Sequence, residues 1–395
     1  MSDTSVTPMA ITQDLKARAT ALVPVLAERA SATEELRRLP DETIADLKAA
    51  GLHRICQPAR FGGAETPLDA ACDIVAELAR GCSSTGWVTG VYTDHQILIG
   101  MFDDRAADDV WADDPDALVS AGFTPGRNHE AVEGGWRISG TWEWSSGCDH
   151  ADWLILGNLL PTGEDGALEP NYCLVSRDVA VIDDNWHVMG LAGTGSKNLM
   201  VEDAFVPDYR ALPFRLAGAG GAARGQADAP ALYRLPHPPS VPFMLAVPAI
   251  GIAESLLEAV TAQMAGRSSR GVCVAEHQTL QVHIAEAAAQ IDAARLLMAR
   301  DTGEAMAAMY AGRELGDLER VRNRRDQAYL VRECRVAVDR LFTTLGGQGI
   351  FLDNALQRKF RDIHALSGHF ALNWDVAATT YGRVALGLEP LTHLK

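Results

Sequence analysis

The chain is poor in the features that mark most binding classes. It has no Cys-x-x-Cys pair: seven cysteines stand scattered at 56, 72, 82, 148, 173, 273 and 334. An odd, unclustered set reads as reduced, mostly buried thiols rather than a disulfide framework or a zinc site. It has no block of Lys or Arg. With 35 basic against 52 acidic residues the net charge is −17, which disfavours nucleic acid and anionic membrane surfaces as partners. No run of ~18 uninterrupted apolar residues occurs. The opening MSDTSVTPMAITQD lacks the basic-then-apolar signature of a signal peptide, so the expectation is a cytoplasmic protein with no membrane contact. Eleven histidines include no His-Glu-x-x-His and no His-x-His, so no catalytic metal is expected. A Gly-x-Ser-x-Gly elbow and a P-loop are likewise missing.

What is present is an ordinary globular composition, 47% hydrophobic and 22% charged, in a distinctive order. Residues 1–115 read as helical. Thr33 reads as the cap of a second helix and Pro40 as the opening of a third, which stops at Gly51. Ser83 and Ser84 read as caps of an apolar helix that carries Thr93, Asp94 and His95 in its middle. Residues 116–212 change period. Short alternating runs (Leu118–Ala121, Trp136–Ile138, Trp142–Trp144, Trp153–Leu156, Tyr172–Val175, Val179–Ile182, Leu199–Val201) predict a β domain. Residues 213–240 read as a surface linker. Gly218 to Ala223 in it matches a loose dinucleotide pattern, which is rejected because no strand precedes it and proline-rich sequence follows. Residues 241–395 carry four long helical stretches, 244–267, 274–312, 317–346 and 360–386, which predict an antiparallel four-helix bundle. Helices, then β, then helices, without βαβ alternation, excludes a Rossmann-type core.

The stretch Ser139–Trp153, SGTWEWSSGCDHADW, ends a Trp-rich strand in a Ser-Ser-Gly turn. It offers hydroxyls and backbone N–H groups beside an aromatic wall, which suits a flat heteroatom-rimmed ring such as a flavin and equally suits a plain β-turn. Gly193-Thr194-Gly195-Ser196 has the same two readings.

Five stretches in order resemble the acyl-CoA dehydrogenase fold: PARFGG (58–63), CSSTGW (82–87) with His95, GGWRISGTWEWSSGCDHADW (134–153), WHVMGLAGTGS (186–196) with Val206-Pro207, and FRDIHALSGH (360–369) with Tyr381-Gly382. Where a dehydrogenase of this fold has its catalytic glutamate, counting from Arg361-Asp362, this chain has His369-Phe370. A phenylalanine cannot accept a proton. The resemblance is therefore to the monooxygenase branch, the oxygenase components of two-component hydroxylases. It implies an N-terminal helical domain, a middle β-barrel or sandwich and a C-terminal bundle. It implies reduced FMN or FAD as co-substrate and O₂, a small aromatic substrate (a phenol or an indole-like ring) hydroxylated through a C4a-hydroperoxyflavin, a separate NAD(P)H:flavin reductase, and a homotetramer.

The resemblance also implies roles. His369 stands by the reacting flavin carbon, Ser146 near flavin N5, and His95 on the substrate hydroxyl with Ser120 assisting. Trp87, Tyr92, Phe123 and Trp374 line the substrate pocket. Trp144, Ser145, Ser146, Gly193, Thr194 and Ser196 contact the flavin. Arg267, with Arg270 as a substitute, and Gly347 and Gln348 reach its phosphates. Cys148, Asp149 and His150 frame the Ser146 turn. Other readings are an N- or S-oxygenating enzyme of the same fold, a dehydrogenase with its base elsewhere, and a flavin-binding scaffold without activity.

Overall fold

The computed structural model describes residues 8–390 apart from Pro239, Val241 and Arg270. The opening residues read for a targeting signal therefore fall partly outside the described residues, and Arg270 falls wholly outside them.

The N-terminal unit contains α1 (Pro8–Leu36), α2 (Asp41–Ala49), α3 (Leu68–Gly81), α4 (Ser83–Ile99) and α5 (Asp104–Trp111). Two sequence expectations fail here. Thr33 does not open a second helix. It sits inside α1, its hydroxyl donating one turn back to Arg29 O at 2.9 Å, a bond available to a mid-helix threonine. Ser83 and Ser84 are the first residues of α4, and Cys82 takes the cap position. Every residue of α4 is buried. A helix so enclosed that still carries Asp94, His95 and Gln96 must find each of them a partner, and those partners define the site.

The β unit holds eight strands: β1 (Val119–Gly126), β2 (Asn128–Val132), β3 (Gly135–Ser145), β4 (Trp153–Leu160), β5 (Glu169–Ser176), β6 (Ala180–Asp183), β7 (Lys197–Pro207) and β8 (Ala211–Pro213). They form two four-stranded sheets, β1-β4-β5-β8 and β2-β3-β7-β6. β1 and β4 run parallel and the remaining pairings in these sheets are antiparallel. Ile138, Trp142, Leu199 and Val201 from one sheet pack against Leu154, Leu156, Cys173 and Val175 from the other. Ile155, on the opposite face of β4, joins the helical core instead. The first sheet is thus buried on both faces, which explains its nearly continuous apolar runs. The register of β3 on β7 slips between Trp142 and Ser145. That bulge turns the chain end toward α4.

The segment expected as a linker is built into the core. It forms α6 (Phe214–Ala219), α7 (Ala231–Arg234) and, beyond it, α8 (Phe243–Ala246). Leu232, Tyr233, Leu235 and His237 are buried, and Tyr233 donates to Cys56 O at 3.0 Å.

The bundle consists of α9 (Pro248–Ala265), α10 (Gln278–Tyr310), α11 (Asp317–Thr344), α12 (Ala355–Ser367) and α13 (Trp374–Ala385). The stretch Phe243–Ala265 is long and apolar enough to cross a membrane, with mean hydropathy 1.7. Here it packs inside: Ile252, Leu256 and Val260 are fully buried between neighbouring helices. The fourth helix expected over 360–386 is two helices. Between them lie Gly368, His369 and a single turn, Phe370–Leu372. His369 is therefore not on a helix face. It caps that turn, and the break frees its ring from helical register.

Candidate active site

The Ser146 turn is locked from three directions. Tyr92 of α4 donates to Gly147 O at 2.7 Å. Ser120 of β1 donates to Ser146 O at 2.7 Å and meets the Ser145 hydroxyl at 2.6 Å. Since the single Ser120 proton goes to the carbonyl, Ser145 is the donor in the second bond. Gly147 N donates to Thr194 O at 2.9 Å. Ser120 and Ser145 are fully buried, so both hydroxyls are engaged behind the turn. Tyr92 is engaged there as well. Gly147 has φ 73°, and a Cβ there would lie 2.6 Å from the Tyr92 hydroxyl. Gly147→Ala is expected to cost about 1–3 kcal/mol, read as a lowered urea midpoint with unchanged slope.

The frame is complete around it. Lys197 bridges Asp149 at 2.8 Å, and His150 Nε2 lies 2.9 Å from Leu39 O. Burial pushes the Cys148 thiol up to about 12, so it is an inert wall.

The Ser146 hydroxyl belongs to a chain whose direction can be worked out. Thr194 Oγ1 donates to Leu191 O at 2.8 Å. Its proton used, it can only accept from Ser196 at 2.7 Å. Ser196 must then accept from Ser146 at 2.7 Å. Ser146 in turn accepts from Trp87 Nε1 at 3.0 Å. With one N–H and three hydroxyls oriented head to tail, the Ser146 proton points inward, and what it offers a ligand is a lone pair.

Trp87 links this chain to His369. Its ring stands edge-on to the His369 imidazole with centroids 5.4 Å apart. Ala371 N–H donates to His369 Nδ1 at 3.2 Å. The neutral ring therefore carries its proton on Nε2, as a donor. Burial first, and the Arg324 guanidinium second, hold its pKa down to about 4. His364, by contrast, is paired to Asp339 at 2.8 Å.

His95 has the opposite polarity. Its Nδ1 lies 2.6 Å from Val119 O, so Nδ1 is the protonated nitrogen and Nε2 keeps a lone pair. Burial lowers its pKa, which keeps that lone pair free near neutral pH. Phe123 stands edge-on to His95 at 5.6 Å, Tyr172 at 5.3 Å and His237 at 6.5 Å. His237 was not foreseen from the sequence. Its Nε2 lies 3.0 Å from Asp94 Oδ2 and its Nδ1 3.1 Å from the Tyr172 hydroxyl. An acidic residue inside an apolar helix was the one available signal.

Trp144 is 59% exposed with φ 64°. It is an open aromatic face beside Ser145–Ser146 rather than a packed wall, held in a backbone region costly for a bulky residue. Gly193 is buried with no room for a Cβ against Thr33 and Ser84. Trp374 lies at a second location. It contacts Tyr329 and Arg332 at 5.5 and 5.3 Å and lines a cleft of about 310 Å³ with Val331, Arg335 and Leu372. Arg267 donates to Leu345 O at 3.3 Å, which joins it to the Gly346–Ile350 turn that holds Gly347 and Gln348. Among the described residues, neither makes a hydrogen bond or ring contact with the Ser146–His369 group.

The arrangement fits a flavin. An exposed indole, an outward serine lone pair and a neutral imidazole donor adjoin, and a buried imidazole acceptor stands beyond them. Residues 14–101 match the acyl-CoA dehydrogenase N-terminal domain and 243–374 its C-terminal domain. The chain belongs to this fold family and, within it, to the flavin-dependent monooxygenases. It is 38% identical, over 95% of both chains, to the oxygenase component of an FADH₂-dependent resorcinol hydroxylase of Rhizobium sp.. Among solved structures it is similar to the HsaA monooxygenase of M. tuberculosis, with TM-score 0.91 and 34% identity over 97% of this chain and 100% of that one. It is also similar to XiaF from Streptomyces sp. in complex with FADH₂ and glycerol, with TM-score 0.89 and 27% identity over 98% of both.

Proposed function

We infer that the chain is the oxygenase component of a two-component monooxygenase, which takes reduced FAD or FMN from a separate reductase and hydroxylates an aromatic ring. One pairing supports the assignment of roles: His369, an Nε2–H donor, packs on Trp87, and His95, an Nε2 acceptor, is held by Val119 O, next to the Ser120 that fixes Ser146 O. When bound with O₂, the reduced flavin supplies the electrophilic oxygen. The protein's own part is acid–base and positional. His95 Nε2 accepts the proton of a substrate hydroxyl, so the ring carries more electron density where oxygen is delivered. His369 Nε2–H is a donor at the reacting locus and stays uncharged at neutral pH. Ser146 holds the flavin edge. Ser120, Ser145 and Tyr92 are positioning residues that hold the Ser146 turn, while Trp87 and Phe123 form the aromatic walls. Phe370, where a dehydrogenase of this fold needs a carboxylate, is 69% exposed and apolar.

The test mixes purified protein, reduced FAD or FMN, oxygenated buffer and a panel of simple phenols, and measures hydroxylated product against hydrogen peroxide. Product in excess of peroxide is expected. Peroxide alone with every phenol, together with reduction of bound flavin by an acyl-CoA, would sink the assignment.

A homotetramer is the second part of the proposal. Ile350, Phe351, Leu352, Leu386 and Leu388 are more than half exposed on the bundle, an apolar surface unusual for a monomer. Light scattering with size exclusion is expected to give four times the 42.4 kDa chain mass.

A further inference from the structure

One buried carboxylate beside the site has no part in the roles assigned above. Asp362 of α12 is 4% exposed and belongs to the Arg361-Asp362 pair from which the place of His369 is counted. Its Oδ1 accepts from Leu191 N–H at 2.7 Å, and the Ser83 hydroxyl at the start of α4 hydrogen-bonds the same carboxylate. A buried carboxylate is costly unless such donors replace water.

The bond acts on Leu191. This is a non-glycine residue at φ 55°, a conformation that a branched side chain adopts only under constraint. Its carbonyl faces Thr194, which donates to it through Oγ1 at 2.8 Å and through its N–H at 3.1 Å. The preceding Gly190 lies so close to α12 that a Cβ would stand 2.3 Å from Arg361 O. Arg361 donates to Met189 O and is anchored in turn by Glu34 of α1. The 189–191 segment is thus laid against the Arg361-Asp362 backbone, with the acceptor that directs the Ser146 chain at its end.

The contacts close a ring. From Thr194 the hydroxyls run through Ser196 and Ser146 to Trp87, and Trp87 meets the His369 ring. His369 follows the end of α12, its N–H donating to Leu366 O at 3.1 Å. Asp362 is therefore the joint between the helix that delivers His369 and the loop that directs the Ser146 hydroxyl.

We propose that Asp362 is a positioning residue of the oxygenation: through Leu191 it sets the acceptor direction of Ser146 and keeps His369 in register with it. This rests on the roles read above for Ser146 and His369. Without the carboxylate, Leu191 N–H is buried with no acceptor and its left-handed backbone relaxes. Thr194 then loses Leu191 O, Ser146 is free to donate outward, and the wall shifts against His369.

The experiment uses the whole chain with Asp362→Asn, Asp362→Ala and Glu34→Gln. Asparagine keeps an acceptor for Leu191 N–H, and alanine removes it. Glu34→Gln loosens the same joint through Arg361 and leaves the Leu191 bond in place. Dissociation constants are measured for reduced FAD anaerobically and for oxidised FAD. Product against peroxide, kcat and KM with one phenol, and the urea midpoint complete the set. In Asp362→Ala the preference for reduced over oxidised FAD is expected to shrink about 3- to 10-fold. Hydroxylation kcat should fall about 10- to 100-fold with KM changed less than about threefold, the lost turnover appearing as peroxide. Asp362→Asn should recover most of both. Glu34→Gln should lower the urea midpoint and leave the affinity ratio unchanged. A ratio and a product yield that survive in folded Asp362→Ala overturn the proposal. So does a ratio that falls as far in Glu34→Gln, which marks a merely structural joint. Equal losses in Asp362→Asn and Asp362→Ala also overturn it, because the charge and not the acceptor would then matter. If Asp362→Ala does not fold, Asp362→Ser takes its place, its oxygen too short of Leu191 N to accept. Peroxide alone from wild type with every phenol would instead count against the oxygenase reading, while the affinity ratio still decides this one.

Discussion

Replacing His369 with alanine is expected to lower hydroxylation by about 10²–10³-fold, with anaerobic affinity for reduced flavin changed less than about threefold. The asymmetry follows from where the residue sits. His369 caps a turn between two helices through its own Nδ1, and its contact with the rest of the site is the Trp87 ring. Removing it leaves the Ser146–Ser196–Thr194 chain intact, so the surface proposed for the flavin persists. What disappears is the Nε2–H donor. His369→Gln, whose amide is also a donor, should recover part of the loss, and an asparagine-like cap at this turn is not needed for that rescue. Equal loss of binding and hydroxylation would mark the residue as structural.

The pH dependence sharpens the same test. With its pKa held near 4, His369 stays neutral from about pH 5 upward, so its titration produces no break near the ordinary histidine value of 6.5. The sign for stability follows from linkage. Between 6.5 and about 4 the unfolded chain binds a proton at this residue and the folded one does not. Its contribution is therefore fully present above 6.5 and is lost as pH falls toward 4. Wild type should lose stability over that interval more steeply than His369→Gln, measured as denaturation midpoints at fixed pH.

How much of this was legible in the chain depended on distance along it. The helix–β–helix order was readable because it rests on local period: α3 repeats at helical spacing and β4 and β5 are short apolar runs. Ser146, His95 and His369 were readable as members of five ordered stretches. Their chemical polarity was not. The tautomer of His95 is set by Val119 O, 24 residues away, across the join of two units, and that of His369 by a turn inside what read as one continuous helix. Ser120 read as a substrate contact because a buried hydroxyl and a free one look alike in sequence. The structure commits its proton to Ser146 O. The largest omission was His237. Its surroundings, RLPHPPS, have the composition of a linker, and nothing local says that the segment passes under Phe123 and closes on Asp94. Trp144 read as a flavin contact, but its exposure was not legible, because a tryptophan in a strand is expected to be buried, and the bulge after Trp142 turns it outward.

Ser146→Ala should weaken binding of reduced flavin relative to oxidised flavin by about 5- to 10-fold, measured as two anaerobic and aerobic dissociation constants on the same protein. The argument is about one proton. A reduced flavin carries N5–H and an oxidised one a bare N5 lone pair, so a hydroxyl that can only accept favours the first. Ser146 is such a hydroxyl, because Thr194 is committed to Leu191 O and the direction propagates through Ser196. Thr194→Val tests the direction rather than the group. It removes the acceptor that orients Ser196, so Ser196 is free to donate back to Ser146, and Ser146 is then free to donate outward. In that variant the preference for reduced flavin should shrink although Ser146 itself is untouched, and oxidised flavin should bind more tightly than in wild type. Trp87→Phe leaves the direction unchanged and removes only an N–H donor to Ser146. It should therefore lower both affinities without changing their ratio. A ratio that moves in Trp87→Phe and not in Thr194→Val would mean that the wall is tuned by its aromatic side and that the hydroxyl chain is scaffolding.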